Sequence, residues 1–327
     1  MAKYFKLFAC CIPVKGAKRA TICDLQRNTY FYINLELFTL FNSKTFFNIE
    51  KYDNNTIEIF HYLVEQEYGF FTSSPEKFPT ISYSSDKEIP MKVTTIIIDL
   101  NHKSNYDLEK LAKEIKLLRL YAIELRFFDT FNLENIYKII HILINRNIRT
   151  IHLVIKKNQW ITSTSLTDLI DTFKCITQIT CHSAKQNKVV SNLFRTSIIY
   201  TKEIINDETH CGNIAPFYFE SNTRFFKNRT RNSCLSDKIG IDTKGNIKNC
   251  PSMNIRYGNI NDTALIDVIK KENFIKVGGI NKDEIKTCKD CEFRYICLDC
   301  RAYTNNNDLY EKPSKCTYNP YTNEWES

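Results

Sequence analysis

The chain has 327 residues, of which 43% are hydrophobic, and its formal net charge at pH 7 is +8. This size allows two or three domains, and the lack of any apolar run of about 18–20 residues excludes a predicted membrane span. The positive charge comes without a dense lysine or arginine block, which disfavours nucleic acid as a partner. Thirteen cysteines without a secretion signal indicate a cytoplasmic protein with reduced thiols, with a disulfide framework as the less favoured alternative.

Residues 1–72 predict a small α+β module in which strands precede helices, as in a winged-helix fold. Turns are expected at Gly16 and at 26–28. The composition alone indicates a plain α+β packing domain. The predicted strands lie within 4–14, 19–25 and 29–35, and the predicted helices within 35–42 and 56–71.

Cys10, Cys11 and Cys23 lie in the strands predicted for this module. They could hold a metal or act in redox chemistry. Adjacent cysteines on a strand point to opposite faces, however, and free cysteine is among the residue types most often buried. The pattern therefore favours core packing for these three thiols.

Residues 73–92 contain three prolines and several serines and show no periodicity, so they predict a linker.

Residues 93–204 predict a βα repeat with a period of about 28 residues. Short β-branched runs alternate with helical patterns, and a fifth run at 196–201 continues the series. Asn132 and Ser165 are expected to be helix N-caps. The pattern predicts a parallel sheet with helices outside, comparable to part of a (β/α) barrel. The run centres fall near Ile97, Leu125, Leu153 and Ile179.

Two histidines, His102 and His182, fall where these strands end, at the edge where α/β sheets place functional sites. They are therefore flagged as candidate functional residues, as is His210 because it adjoins Cys211.

Residues 205–327 predict an irregular unit organised by thiols. Their spacing is C-x15-C, then C-x2-C-x5-C-x2-C, then one more cysteine after fifteen residues, with Cys211 upstream. A soft thiolate set of this size indicates iron–sulfur clusters, with zinc as the alternative. Three cysteines in one short loop and the last cysteine of the chain could ligate one metal centre. The three cysteines that remain could ligate a second centre, with Cys211 as its fourth ligand. The first quartet is Cys288, Cys291, Cys297 and Cys316, and the second is Cys211, Cys234, Cys250 and Cys300.

The words "NSCLSDKIGIDTKGNIKNCPSM" and "CKDCEFRYICLDCRAY" resemble the SPASM domain, the twin-cluster extension of radical S-adenosylmethionine (SAM) enzymes that modify peptides. They are similar, more narrowly, to the peptide maturases of grasp-with-spasm systems. The usual pattern ends its middle run with C-x3-C, whereas this chain has C-x2-C at Cys297 and Cys300. The resemblance implies two [4Fe–4S] clusters, a ribosomally made precursor peptide as a partner, and an ATP-grasp ligase acting beside it. It also implies that the module of residues 1–72 captures the leader of that peptide as an added strand at its sheet edge.

A radical-SAM domain also needs C-x3-C-x2-C after its first strand. The corresponding stretch here reads "NHKSNYDLEK", and no cysteine lies between Cys23 and Cys175. We therefore expect no SAM cleavage and leave open whether the protein is an enzyme. The favoured function is a cytoplasmic maturation factor for a ribosomally synthesised peptide. The alternatives are a redox enzyme with an open iron and a zinc-ribbon-like nucleic-acid binder.

Overall fold

A computed structural model describes residues 3–81, 93–191, 196–214 and 222–326. It is a mixed α/β protein with a large, mostly parallel sheet, which confirms the predicted fold class. Of the predicted linker, 82–92 lies outside the described residues, and 75–77 forms one turn of 3₁₀ helix.

The N-terminal residues form two antiparallel sheets with strand orders β5-β1-β6 and β2-β3-β4. The first predicted strand is in fact two strands, because a turn closed by a hydrogen bond from Cys11 N to Phe8 O (2.9 Å) separates them. The predicted turn at Gly16 is present, with Gly16 N donating to Arg19 O. The strands are Tyr4–Leu7 (β1), Cys11–Lys15 (β2), Ala20–Asp24 (β3), Thr29–Ile33 (β4), Phe47–Asn48 (β5) and Gly69–Thr72 (β6).

Two helices cover these sheets: Leu35–Ser43 (α1) and Asn54–Glu65 (α2). Their apolar faces enclose an aromatic core in which Phe5 stacks on Phe60 with ring centroids 4.3 Å apart. Aromatic pairs in this geometry stabilise a core beyond their buried area.

The central sheet has the strand order β11-β12-β10-β9-β8-β7-β13-β14, and its inner strands are parallel. All four predicted run centres lie in strands, and the run at 196–201 forms a further parallel strand. The strands are Thr95–Leu100 (β7), Ala122–Phe127 (β8), Thr150–Lys156 (β9), Ile176–His182 (β10), Lys188–Ser191 (β11), Ser197–Tyr200 (β12), Lys238–Ile241 (β13) and Ile247–Lys248 (β14).

Three helices pack against one apolar face of this sheet: Leu108–Leu117 (α3), Leu133–Leu143 (α4) and Ser163–Thr172 (α5). Asn132 caps α4 as predicted. The prediction of Ser165 as the cap of α5 is wrong. Thr162 is the N-cap, and Ser165 is its partner three residues on, with each side chain accepting from the other's backbone N–H.

The C-terminal residues are joined to the central sheet through β13, which pairs in parallel with β7 from Ile96↔Ile239 to Ile98↔Ile241. β13 and β14 form a hairpin that turns at Gly245, where φ is +80°. The remaining elements are Asn222–Thr230 (α6), Leu265–Val268 (α7), Glu272–Gly279 (α8), Tyr318–Asn319 (β15) and Glu324–Trp325 (β16).

The N-terminal module also packs on the C-terminal unit. Glu292 is buried and accepts from Arg19 Nε at 2.6 Å and from the Tyr318 hydroxyl at 2.5 Å. Thr21 Oγ1 donates to Glu292 O at 3.0 Å. A buried carboxylate needs such partners, so these contacts fix the position of the module.

No helix in the described ranges is long and apolar enough to cross a membrane.

Candidate metal centre

The first group of thiols gathers around Cys234, which follows α6. Its thiol lies within electrostatic range of Cys211, Cys250 and Cys300. Cys250 follows β14 and is buried, whereas the other three are half-buried. The turn at Gly212 presses on Cys300, since a Cβ on that glycine would lie 2.9 Å from the Cys300 Sγ. The fold therefore brings these four thiols into one neighbourhood.

The second group gathers around Cys297. Its thiol lies within electrostatic range of Cys288, Cys291 and Cys316. Cys288 begins a single 3₁₀ turn, and Cys291 N donates to Cys288 O at 3.0 Å. This turn is the local reason that two cysteines spaced by two residues lie close together.

Within each group, the thiols are spaced more widely than the ligands of a bound zinc ion. A tetrahedral zinc ion with Zn–S bonds of about 2.3 Å holds its sulfurs about 3.8 Å from one another. In the part of the chain that the structure describes, no three of these eight thiols lie within 4.8 Å of one another. The wider spacing favours a larger inorganic core over one zinc ion.

Burial raises the pKa of six of these thiols, and neighbouring thiols raise it further: Cys211, Cys250, Cys288, Cys291, Cys300 and Cys316. The pKa rises to about 11 for Cys211 and Cys288 and to about 12 for Cys250. For Cys250 the thiol of Cys234 is the second cause after burial. Such thiols keep their protons at neutral pH unless a metal replaces them, so metal binding here releases protons.

Arg126, on β8, is a cationic group in direct contact with a thiol of the first group. Its Nη1 donates to the Cys211 Sγ at 2.9 Å. The guanidinium is buried and also forms two hydrogen bonds with Asp99, at 2.6 and 2.8 Å. A bidentate carboxylate fixes the orientation of the guanidinium, so its remaining donor is aimed at the sulfur.

Lys282 is a buried cation near the second group, as Arg126 is near the first. Its ammonium is buried and donates to Leu298 O at 2.9 Å. Burial alone would lower the pKa of Lys282, but the nearby thiols of Cys297 and Cys288 help to raise it above its usual value. A fixed positive charge at this position offsets negative charge on the thiolates.

The inner face of the central sheet, opposite α3–α5, carries polar side chains at alternate positions. Glu124 on β8 is the register partner of His152 on β9. The His152 Nε2 lies 3.0 Å from Thr180 Oγ1 and 3.1 Å from Gln178 Nε2 on β10. Burial would raise the pKa of Glu124, but the positive charge of Arg126 and other groups lowers it. This inner polar face extends from the first thiol group across the sheet.

The sequence-predicted histidines have different surroundings. His210 approaches the first group, with its Nε2 3.4 Å from the Cys211 Sγ. His182 is buried, and its Nδ1 lies 3.1 Å from Ser183 Oγ. His102 packs on Phe131 with ring centroids 4.9 Å apart. Only His210 among these three lies against a thiol in the described residues.

The arginines that the sequence places near the thiols bind oxygen atoms. Arg294 Nε donates to Asp283 at 2.7 Å, and the Tyr295 hydroxyl donates to the same carboxylate. Arg301 is buried and donates to Asp299 and to backbone carbonyls. Sequence reasoning missed Arg126, Asp99 and Lys282. Arg126 and Asp99 could have been found, because a charged residue inside an otherwise apolar strand indicates a special role.

A search among curated proteins gives no match to this chain. Residues 233–292 match the model of one family, SPASM, an iron–sulfur cluster-binding domain. The matched segment includes Cys234, Cys250, Cys288 and Cys291. The C-terminal unit of this protein therefore contains a SPASM iron–sulfur cluster-binding domain, of the kind typically associated with radical-SAM peptide modification.

Proposed function

We propose that this protein is a maturation factor for a ribosomally synthesised peptide and carries two [4Fe–4S] clusters. The observation that carries the proposal is the separation of eight thiols into two groups, one around Cys234 and the other around Cys297. Four thiolates are the usual ligand set of a [4Fe–4S] cluster. The ligands would be Cys211, Cys234, Cys250 and Cys300 for one cluster and Cys288, Cys291, Cys297 and Cys316 for the other.

Iron–sulfur clusters are favoured over zinc by the donor spacing and by the SPASM match. A cubane core supplies four separate metal corners, so its thiolates need not converge within 4.8 Å. The protein supplies the cations that such an anionic core requires, through Arg126 at one group and Lys282 at the other. The clusters would stabilise a unit with little regular secondary structure, because metal binding contributes directly to folding.

Precursor binding is supported by the N-terminal module. A cavity of about 220 Å³ lies beside β1 and β2 and is lined by Phe8, Phe41, Phe47 and Ile81, with Lys44 and Arg229 at its polar positions. An aromatic cavity next to β2, an edge strand of its sheet, suits an extended peptide that pairs through its backbone and inserts apolar side chains. The precursor would be modified together with an ATP-grasp ligase, and no SAM would be cleaved.

Metal analysis of anaerobically purified protein tests the cluster assignment. We expect about eight irons and about eight acid-labile sulfides per chain. Replacing Cys234 or Cys297 by Ala should each remove about half of the iron, whereas Cys175→Ala, which alters a thiol outside both groups, should remove none. Two zinc ions without sulfide would overturn the proposal.

Two further assays test the maturation role. The short peptides encoded beside the gene should bind the purified protein in fluorescence anisotropy. Phe8→Asp should weaken that binding, whereas Leu117→Asp, which alters an exposed residue on α3, should not. Incubation with SAM and dithionite should yield no 5′-deoxyadenosine, and its formation would contradict the proposed lack of radical initiation.

A further inference from the structure

Three side chains of types that can bind a metal lie close together in the N-terminal module. They are far in sequence from the eight C-terminal thiols. The Sγ atoms of Cys10 and Cys11 and a carboxylate oxygen of Asp24 all lie within 4.8 Å of one another. Within 3–81, 93–191, 196–214 and 222–326, this is the sole group of three or more His, Cys, Asp or Glu donors that close together.

The backbone explains why both sulfurs reach the same side. The prediction that Cys10 and Cys11 point to opposite faces of a strand is wrong, because β2 begins only at Cys11. Cys10 lies in the preceding turn, and its carbonyl accepts from Leu25 N at 2.9 Å. Cys11 and Asp24 are register partners across β2 and β3, so their side chains lie on the same face.

The carboxylate is held in the manner of a metal ligand. Oδ1 of Asp24 accepts from the backbone N–H groups of Gln26 (2.8 Å) and Arg27 (3.0 Å), and Oδ2 accepts from Arg27 Nε. Ligating carboxylates are ordinarily fixed by such outer contacts. A divalent ion with two thiolates and one carboxylate carries a net charge of −1, which the Arg27 guanidinium offsets.

Space for a fourth ligand adjoins two of the three donors. A cavity of about 500 Å³ is lined by Cys10 and Asp24 together with Phe8, Glu67 and Phe70. Zinc sites with three protein ligands leave one position to water or to an incoming donor. Tetrahedral zinc needs its sulfur and oxygen donors about 3.6–3.8 Å apart, so small side-chain rotations would close this site.

We propose that Cys10, Cys11 and Asp24 bind one zinc ion whose fourth coordination position opens into this cavity. Two thiolates and a carboxylate suit zinc better than magnesium or calcium, which prefer oxygen ligands alone. The zinc site is separate from the proposed clusters, because none of its three donors belongs to either thiol group.

The test uses the full chain purified anaerobically, incubated with one equivalent of zinc, dialysed and analysed for zinc and iron together. The wild-type protein should retain about one zinc per chain. The double variant Cys10→Ser/Cys11→Ser should lose that zinc and keep its iron. Cys175→Ala, the matched control at a half-buried thiol outside the site, should keep both metals.

Cobalt gives a second readout, because thiolate coordination produces an intense near-ultraviolet charge-transfer band. This band should appear on Co²⁺ addition to the wild-type protein and be absent from the double variant. Asp24→Asn should weaken cobalt binding at least tenfold, since a ligating anion is lost. This variant tests the proposal by itself if the double variant fails to fold. Equal zinc retention by wild-type and Asp24→Asn protein, or a Cys10–Cys11 disulfide in anaerobic protein, would overturn the proposal.

Discussion

The guanidinium of Arg126 links Asp99, on the neighbouring strand β7, to the Sγ of Cys211, 2.9 Å from its Nη1. Both charged partners of this ion pair are almost fully buried, with side chains 1% exposed. The pair therefore couples the core of the central sheet to the first thiol group.

Removing one partner of this pair should cost far more than removing both. Arg126→Leu leaves the Asp99 carboxylate buried without its cation, and we expect a loss of about 3–5 kcal/mol in the free energy of unfolding. The double variant Asp99→Leu/Arg126→Leu should recover most of that loss. Urea unfolding under anaerobic conditions measures both values.

The exposed pair between Lys138 and Glu134 is the control for this cycle. Lys138→Ala should change the stability by no more than about 0.5 kcal/mol. Equal losses for the single and double core variants would show that Asp99 does not depend on Arg126.

Lys282→Met should shift the midpoint potential of the cluster proposed at the second thiol group to more negative values. The reduced cluster carries the greater negative charge, so losing a nearby ammonium destabilises it. Loss of the donor to Leu298 O should also lower the free energy of unfolding by about 1–3 kcal/mol. Redox titration followed by electron paramagnetic resonance measures the potential, and Lys113→Met, at an exposed site on α3, should leave it unchanged.

His152 should make the protein sensitive to mild acid. Burial lowers its pKa below the usual value of about 6.5, so the unfolded chain takes up a proton before the folded one does. The resulting stability is present above about pH 6.5 and is lost as the pH falls through the lowered folded pKa. His152→Gln should flatten the fall in stability between pH 7 and pH 5, whereas His141→Gln, at an exposed site on α4, should follow the wild-type curve.

Two glycines should respond in opposite ways to alanine. Gly245 has a φ of +80°, and a Cβ there would lie 2.8 Å from the Tyr106 Cβ. Gly245→Ala should therefore cost about 2–4 kcal/mol in unfolding free energy, from backbone strain and overpacking. Gly279→Ala meets nothing within 4 Å and should be neutral or stabilising by up to about 1 kcal/mol. Thermal melts of the two variants would contradict this account if the shifts were alike.

The sequence predicts the central sheet well because its signals are local. The β-branched runs around Ile97, Leu125, Leu153 and Ile179 all form strands, and the spacing of about 28 residues reflects one strand and one helix per repeat. The parallel pairing of β7 with β13 was not predicted. It joins segments far apart in the chain, and local periodicity carries no information about such partners.

The candidate site was predictable only in part from the sequence. Cysteine spacing predicts the two quartets, and that ligand assignment stays a prediction. Cysteine spacing alone does not show whether Cys211 belongs to a ligand set. Its position depends on the turn at Gly212, which packs against Cys300. The polar inner face was visible in principle, since Glu124 and Arg126 alternate with apolar residues in a strand of a parallel sheet, which is ordinarily apolar on both faces.

The long-range pairing of β7 has a consequence for biosynthesis. Thr94 and its contact Asp237 are 143 positions apart in the chain. At usual elongation rates, β13 is therefore synthesised roughly 7–30 s after β7, its partner strand. During that interval the segment Thr95–Leu100 exposes an isoleucine-rich edge able to pair with other nascent chains. Slower translation or scarce chaperones should therefore reduce the yield of native protein before any metal is inserted.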